Sequence, residues 1–221
     1  MNIALIGMGK MGREILSLLD QYQFTAVFTA DSTTSLIDAP WKTIDVCIDF
    51  SQPTKLLDRM EIICFHKKPL VLGTTGWDSQ RNEVLAMFQA SNTSLVWGSN
   101  FSPGMFIFHQ IVRSSAHLLE GFPDFDVALF EAHHNKKQDA PSGTLLSLQE
   151  EFPNKKESAA LRVGSVPGTH MVWIDGPEES ITLTHAVRNR RTFAHGSLRA
   201  AQLLQQHPGI WHIYDLFRRS L

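Results

Sequence analysis

The sequence predicts an α/β protein in which a domain with a doubly wound parallel sheet is followed by a smaller α+β domain. In the first hundred residues, short β-type apolar runs alternate with longer amphipathic stretches. That alternation is typical of a parallel sheet covered by helices on both faces. After about residue 101 the predicted strands follow one another more closely, which favours a mixed or antiparallel sheet.

Hydrophobic periodicity gives the predicted elements of the first domain. Strands are predicted at residues 2–6, 26–30, 44–50, 69–73 and 94–98. Helices are predicted between them, at about residues 11–21, 53–66 and 78–91. In the last of these, Val84, Leu85 and Phe88 have helical spacing on one face. Residues 1–101 are therefore predicted to form the first domain.

The second predicted domain comprises residues 102–193. Its elements are a long helix at 105–120, a strand at 126–132, a polar loop at 133–141, a helix at 142–152 and strands at 170–175 and 180–187. Two further helices are predicted at 193–206 and 211–217. We expect the C-terminal helices, within residues 194–221, to return to the first domain.

The composition excludes several classes of protein. Hydrophobic residues make up 43% and charged residues 19% of the 221 residues, so the chain can build a core and is not mainly disordered. Twenty Lys and Arg against 22 Asp and Glu leave no basic excess for a nucleic acid or an anionic membrane. The apolar runs are too short for a membrane span. Two distant cysteines, Cys47 and Cys64, and no signal-peptide pattern lead us to expect a cytoplasmic protein.

The strongest local signal is a glycine-rich turn directly after the first predicted strand. Gly7, Gly9 and Gly12 have the G-x-G-x-x-G spacing and open a predicted helix. The first glycine permits a tight turn, the second lets the backbone approach a pyrophosphate, and the third allows close packing of helix on strand. A turn without a ligand is the alternative. The context favours a Rossmann-like dinucleotide-binding domain, whose contacts we expect from Gly7, Met8, Gly9, Lys10, Met11 and Gly12.

Asp31 follows the second predicted strand, where such a domain carries the acid that binds a ribose. Ser32, Thr33 and Thr34 come next, and no arginine is there to pair with a 2′-phosphate. This arrangement favours NADH over NADPH, although Lys10 could still reach a phosphate. The alternative for Asp31 is an ordinary surface aspartate.

Two further loops follow strands of the same predicted sheet. One contains Gly73, Thr74 and Thr75, and the other contains Gly98, Ser99, Asn100 and Phe101. Ligands of open parallel sheets bind beyond the carboxyl ends of the strands. Each loop alone could be a plain turn, but together with the glycine-rich turn they predict the rim of a cofactor site.

A second constellation spans residues 131–144. His133, His134 and two lysines at 136 and 137 offer proton donors and cationic anchors at the end of a strand. Ser142 can cap the next helix, and the N–H groups of Gly143 and Thr144 could hold a carboxylate. The alternatives are a surface loop, or a metal site that includes Asp139. A metal is less attractive because the lysines would repel it.

Residues 131–144 resemble the signature of the dihydrodipicolinate reductases (4-hydroxy-tetrahydrodipicolinate reductases), the reductases of the diaminopimelate–lysine pathway. The resemblance rests on His133, His134 and Lys137 and on the run from Asp139 to Thr144. Segments 48–51, 71–77, 100–104, 166–170 and 188–196 match the family in the same order, so the resemblance covers nearly the whole chain. The glycine-rich turn is one residue shorter than the commoner family form, as in short-form members.

The resemblance implies a role for each matching position. It implies that His133 relays a proton and that Lys137 donates one. His134, Gly143 and Thr144 would bind the substrate. Cofactor loops would lie at residues 7–12, 73–75 and 98–101, with Arg190 near the cofactor.

The implied reaction is the reduction of a cyclic imine with two carboxylates by NADH or NADPH, with no metal. The second domain would bind this substrate and assemble the protein as a homotetramer. Two alternatives remain at this point. Another two-domain nicotinamide dehydrogenase would need a different catalytic loop, and a non-catalytic NAD(H)-binding redox sensor would leave the proton donors without a role.

Overall fold

The computed structural model describes residues 1–221, which divide into two units. One unit consists of Met1–Ser102 and Arg191–Leu221, and the other is Pro103–Arg190. The chain thus leaves the first unit once and returns to it at residue 191.

The sheet of the first unit has six strands, and every strand pair in it is parallel. The strands are β1 (Asn2–Ile6), β2 (Thr25–Ala30), β3 (Val46–Asp49), β4 (Leu70–Leu72), β5 (Leu95–Trp97) and β10 (Ile210–His212). Their order is β10-β5-β4-β3-β1-β2. The chain therefore reverses its direction of winding between β1 and β3. The predicted doubly wound parallel sheet is confirmed. The helix predicted at 211–217 is wrong at its start, because residues 210–212 form β10 and the helix begins at Ile213.

Helices cover both faces of this sheet. They are α1 (Lys10–Leu16), α2 (Leu56–Phe65), α3 (Arg81–Ala90), α6 (Arg191–Gln206) and α7 (Ile213–Arg219), with 3-10 turns at Leu19–Tyr22 and Asp78–Gln80. Side chains of α2 and α3 form one core with alternate residues of the strands, while α1 and α6 pack together against the opposite face. The predicted helix at 11–21 is wrong beyond Leu16, because the chain turns there and buries Leu18 and Leu19.

The second unit holds a mixed four-stranded sheet, as predicted. Its elements are α4 (Pro103–Leu119), β6 (Asp126–His133), α5 (Gly143–Gln149), β7 (Glu157–Arg162), β8 (Thr169–Asp175) and β9 (Ser180–Ala186). The strand order is β7-β6-β8-β9, in which only the β6–β7 pair is parallel. Strand β7 was not predicted.

The two faces of the second sheet differ. Alternate residues of β6, namely Val127, Leu129, Glu131 and His133, are buried, and α4 and α5 pack on this sheet. On the opposite face the Trp173 side chain is 54% exposed. No helix in the structure combines the length and the apolar character that crossing a membrane requires.

Candidate functional site

The sequence-predicted cofactor residues of the first unit lie at one edge of the parallel sheet. Gly7 follows β1, Asp31 follows β2, Gly73 follows β4 and Gly98 follows β5. Because all these strands are parallel, their carboxyl ends share that edge. The point where the winding reverses, between β1 and β3, also lies there, and this is where open α/β sheets bind ligands.

Gly7 and Gly12 are required by the local packing. Gly7 has φ +96°, and a Cβ on it would lie 2.6 Å from the backbone of Phe50 and Ser51. Its N–H donates to the carbonyl oxygen of Ala30 at 2.8 Å. A Cβ on Gly12 would lie 2.1 Å from the carbonyl oxygen of Gly7. These two glycines therefore allow the turn and bring α1 against β1.

Gly9 has a different environment. It precedes α1, has no side chain to cap the helix, and a Cβ on it would meet nothing within 4 Å. The first turn of a helix carries N–H groups without intrahelical partners. Open space beside such a turn, with Lys10 at its first position, fits a phosphate group.

Asp31 is exposed and is organised by the residues that follow it. Its Oδ1 accepts hydrogen bonds from the Thr33 backbone N–H at 2.9 Å and from the Thr33 and Thr34 hydroxyls at 2.8 and 2.9 Å. The bonds from Thr33 are the main reason that the pKa of Asp31 is lowered to about 2. All three bonds use Oδ1, which leaves Oδ2 of an ionised carboxylate for another donor.

The two remaining loops contribute mainly backbone. A Cβ on Gly73 would lie 2.2 Å from the Phe50 ring, and a Cβ on Gly98 would lie 2.5 Å from the Ile213 side chain. The side chains of Thr74 and Phe101 are buried. By contrast, Thr75 and Ser99 are exposed, and Asn100 accepts a hydrogen bond from the Ser102 N–H at 3.0 Å.

A buried carboxylate that sequence reasoning missed supports this edge. Asp49, at the end of β3, is fully buried and accepts hydrogen bonds from the Ser51 N–H at 2.8 Å, the Thr74 hydroxyl at 3.1 Å and Arg59 at 3.0 Å. Arg59 also donates to the carbonyls of Gln52 and Thr54. Asp49 thereby joins the loop after β3 to the loop after β4.

In the second unit, β6 presents Glu131 and His133 on its buried face. Glu131 is fully buried. Its Oε1 accepts the Ser142 backbone N–H at 2.9 Å and Arg162 Nη2 at 3.1 Å, and its Oε2 accepts the Ser142 hydroxyl. Burial alone raises the pKa of Glu131, but the two bonds from Ser142, with that from Arg162, outweigh burial and hold the pKa below its usual value.

Two imidazoles face this carboxylate. His133 Nδ1 and His170 Nε2 each lie 3.5 Å from Glu131 Oε2, and the two rings meet edge to face with centroids 5.1 Å apart. Burial is the main cause that lowers the pKa of His133, and Lys137 and Arg162 lower it further against the opposing effect of Glu131. Burial likewise lowers the pKa of His170 to about 4.

The loop after β6 carries the other predicted residues. Lys137 Nζ donates to both carboxylate oxygens of Asp139, at 2.8 and 2.9 Å. Arg162 reaches the same loop by donating to the Asp139 carbonyl. His134 is half-buried, and its Nδ1 has no hydrogen-bond partner.

Helix α5 begins directly after this loop. Ser142 is its N-cap and accepts the N–H of Leu145 at 3.1 Å. Gly143 and Thr144 form the first turn, and a Cβ on Gly143 would meet nothing within 4 Å. The structure thus places the start of α5 beside Glu131 and His133. Arg190 is the last residue of this unit and directly precedes α6.

One group in this region has the composition of a metal site. Donor atoms of Glu131, His133 and His170 all lie within 4.8 Å of one another. The carboxylate is, however, already paired with Arg162 and bonded twice by Ser142. A nearby guanidinium opposes a cation at this position.

Comparison with known families assigns both parts of the chain consistently. The family model for the N-terminus of dihydrodipicolinate reductase matches residues 1–101, and the model for its C-terminus matches residues 104–217. The 4-hydroxy-tetrahydrodipicolinate reductase of Christiangramia forsetii is 31% identical over 98% of this chain and 97% of its own. That of Bdellovibrio bacteriovorus is 34% identical over 96% of this chain and 94% of its own.

A solved structure has the same fold. Dihydrodipicolinate reductase from Paenisporosarcina sp. TG-14, with dipicolinate bound, aligns with a TM-score of 0.77 at 20% identity and covers 96% of this chain and 97% of its own. A more distant likeness in fold is GenD2 from gentamicin A biosynthesis, in complex with NAD. It aligns with a TM-score of 0.67 at 10% identity and covers 98% of this chain and 89% of its own. The matches to both family models and the full-length relatives lead to one conclusion: the chain belongs to the dihydrodipicolinate reductase family.

Proposed function

We propose that this chain catalyses the NAD(P)H-dependent reduction of 4-hydroxy-tetrahydrodipicolinate to tetrahydrodipicolinate, a step of diaminopimelate and lysine biosynthesis. The ring takes up a hydride and a proton, and the 4-hydroxyl group leaves as water. Members of its family are NAD(P)H-dependent oxidoreductases. The observation that carries the proposal is the full-length match to curated 4-hydroxy-tetrahydrodipicolinate reductases. The buried Glu131–His133 pair beside the start of α5 supports it with groups suited to proton transfer.

The first unit would hold the cofactor. When bound, the reduced nicotinamide supplies the hydride. Gly9 and Lys10 would contact the pyrophosphate, since the space beside Gly9 is open. The free Oδ2 of Asp31 would accept a ribose hydroxyl, and its charge would repel a 2′-phosphate, so we propose a preference for NADH. The remaining cofactor contacts would come from Thr75 and Ser99, from the backbone of the loops at residues 73–75 and 98–101, and from Arg190.

The second unit would bind the substrate through its two carboxylates. The open side of Gly143, with Thr144, would face one carboxylate, and Lys137 would pair with it by exchanging Asp139 for the ligand. His134 would contact the second carboxylate or the ring nitrogen. The Paenisporosarcina relative supports this substrate class, since its structure holds dipicolinate, a planar ring with two carboxylates.

His133 would deliver the proton that the reduced ring requires. Because burial lowers its pKa, the ring is mostly neutral near pH 7 in the unliganded protein. A substrate with two negative charges favours the protonated imidazole. With Nδ1 directed to Glu131, the proton would leave from Nε2. A Cβ on Gly168 would lie 3.1 Å from that nitrogen, so glycine keeps it accessible. Lys137 is the alternative donor.

We propose that the reaction uses no metal, because Arg162 and Ser142 already engage the Glu131 carboxylate. The alternatives, a redox sensor or another dehydrogenase, are not favoured, because the relatives are named 4-hydroxy-tetrahydrodipicolinate reductases. The deciding experiment follows NADH oxidation at 340 nm with freshly prepared substrate, in parallel with NADH binding alone. Turnover that depends on the cyclic substrate supports the reductase. Binding without turnover would support a sensor, and turnover of a sugar or amino acid would support a different dehydrogenase.

A further inference from the structure

We infer that Glu131 is a positioning residue of this site: one buried carboxylate that orients the His133 ring and fixes the start of α5 in a single arrangement. The inference rests on the proposed function, because it assumes that His133 delivers the proton. It assigns a role to a residue that does not itself touch the substrate.

Glu131 fixes the start of α5 through its contacts with Ser142. The backbone N–H and the hydroxyl of Ser142 both donate to Glu131, one to each carboxylate oxygen. The same hydroxyl caps α5 through Leu145. Glu131 therefore determines where the first turn of α5 begins, and with it the position of Gly143. A rigid first turn suits an anchor for a substrate carboxylate, because a small displacement of a bound substrate can lower the reaction rate strongly.

Glu131 also faces the ring of His133. Glu131 and His133 are two residues apart on β6, so their side chains emerge on the same face. His170 lies directly opposite Glu131 on β8, and its ring packs against that of His133. His133 Nδ1 thus faces a carboxylate oxygen at 3.5 Å while His170 restricts the ring from the side. No hydrogen bond reaches His133 Nδ1, so Glu131 acts on the ring through its charge, which favours a proton on Nδ1 and leaves Nε2 to the substrate.

Arg162 extends the arrangement to the catalytic loop. It is paired with Glu131 at 3.1 Å and donates to the Asp139 carbonyl. Asp139 holds Lys137 through its side chain. A single buried negative charge is therefore connected with the proton-relay histidine, the start of α5 and the loop that carries the lysine. Removing that charge would leave the Arg162 guanidinium without its buried partner.

The charges around His133 give the expected direction of the pH effect. The groups that act on it are Glu131 on its own strand, Arg162 on β7, His170 on β8, and Lys137 and Asp139 on the loop. His185 on β9 acts on His170. The positive groups lower the pKa of His133, and Glu131 opposes them. Without the Glu131 charge the imidazole would lose its proton at a lower pH.

The test is Glu131→Gln, which keeps the side-chain shape and removes the charge. We expect kcat at pH 7.5 to fall about 10- to 100-fold and substrate KM to rise by about 3- to 10-fold. The alkaline limb of the kcat profile should move by about one pH unit or more toward acid. A merely structural role would lower kcat at every pH and leave the limb in place, and that result would overturn the inference.

A double-mutant cycle tests whether Glu131 acts through His133. On the His133→Gln background, Glu131→Gln should lower kcat by a smaller factor than it does in the wild-type protein, because only its effect through α5 remains. Glu131→Asp, which keeps the charge but withdraws it by one methylene, should restore part of the pH profile. The matched control is Glu178→Gln, an exposed carboxylate in the turn between β8 and β9, which should match wild type. Fully additive losses would overturn the inference.

Two further results keep the test decisive. If Glu131→Gln does not fold, an NMR titration of the His133 imidazole in wild type and Glu131→Asp replaces it. The Asp variant should show a lower pKa, and an unchanged pKa would overturn the inference. If His133→Gln itself keeps wild-type kcat, the proposed function of the loop fails. If His133→Gln is impaired and the Glu131 variants are not, only the positioning role fails.

Discussion

Asp31 shows how a surface carboxylate can be prepared for a ligand. Thr33 and Thr34 occupy one of its oxygens and keep it ionised, while the other stays available. We expect Asp31→Ala to weaken NADH binding about tenfold and to leave NADPH affinity unchanged or improved, because a hydrogen-bond acceptor and a repulsive charge disappear together. Fluorescence titration with both cofactors measures this. Asp38→Ala, an exposed aspartate farther along the chain, is the control, and equal losses for both cofactors would mean that Asp31 does not contact the ribose.

Lys137 and His133 are expected to have separable effects on the reaction. Lys137→Ala removes a carboxylate anchor and a candidate donor, so KM should rise and kcat should fall. His133→Gln should lower kcat by about 10²-fold or more with a smaller change in KM, since general acid catalysis contributes about that much. Steady-state kinetics on both variants decides this, with exposed Lys136→Ala as the neighbouring control. Pyridine-2,6-dicarboxylate should inhibit competitively and bind less well to Lys137→Ala. Wild-type constants in both variants would remove the loop from the active site.

Two glycines in the turn between β1 and α1 should have different effects when they are replaced. Gly12 should affect the stability of the fold, and Gly9 should affect cofactor binding. Gly12→Ala places a Cβ against the carbonyl of Gly7 and should lower the free energy of unfolding by about 1–3 kcal/mol. Gly9→Ala meets no protein atom, so the fold should keep its stability while NADH binding weakens. Denaturant unfolding and cofactor titration of both variants measure the contrast. A large loss of stability in Gly9→Ala would show that this glycine serves the fold.

The buried sheet face of the second unit should make stability depend on pH. His170 has a pKa of about 4 in the folded protein, against an ordinary value of 6.5, so the unfolded chain binds more protons between those values. The contribution of neutral His170 is therefore complete above about pH 6.5 and is lost as the pH falls toward 4. We expect the free energy of unfolding to decline across that window, and His170→Gln to flatten the decline. An equally steep decline in the variant would assign the effect to other groups.

The sequence predicts regular elements well where periodicity is strong and poorly where an element is short. The parallel sheet was predictable because its central strands are apolar on both faces. Strand β10 has three residues between Gly209 and a helix, and β7 has charged residues only at its two ends with mostly small residues between them, so neither has a distinctive pattern. In the candidate site, the motif predicted roles for His133 and Lys137. The parts played by Glu131, Arg162 and Asp49 depend on partners far away in sequence, which no local pattern contains.

For the molecule as a whole, the open face of the second sheet supports the homotetramer that we propose. Trp173 and Leu161 are 54% and 52% exposed, and Phe130 and Met171 lie on the same face between them. Apolar area of this kind on a sheet is typical of a surface that another chain covers. Sedimentation at micromolar concentration should therefore give a tetramer. Trp173→Lys should dissociate it, whereas the control Phe65→Lys, at an exposed apolar position on α2, should not. A stable, active wild-type monomer would refute the proposal.

Because residues 191–221 return to the first unit, the ribosome makes the two parts of that unit at opposite ends of synthesis. When synthesis has reached residue 190, the second unit is complete, yet the first sheet still lacks β10 and the helices α6 and α7. Strand β5 is then an unpaired edge, and the face that α6 covers is bare. The first sheet therefore cannot be completed until the last residues of the chain have been made. Until the C-terminal segment emerges, this half-built sheet is the part of the nascent chain that a chaperone would have to shield.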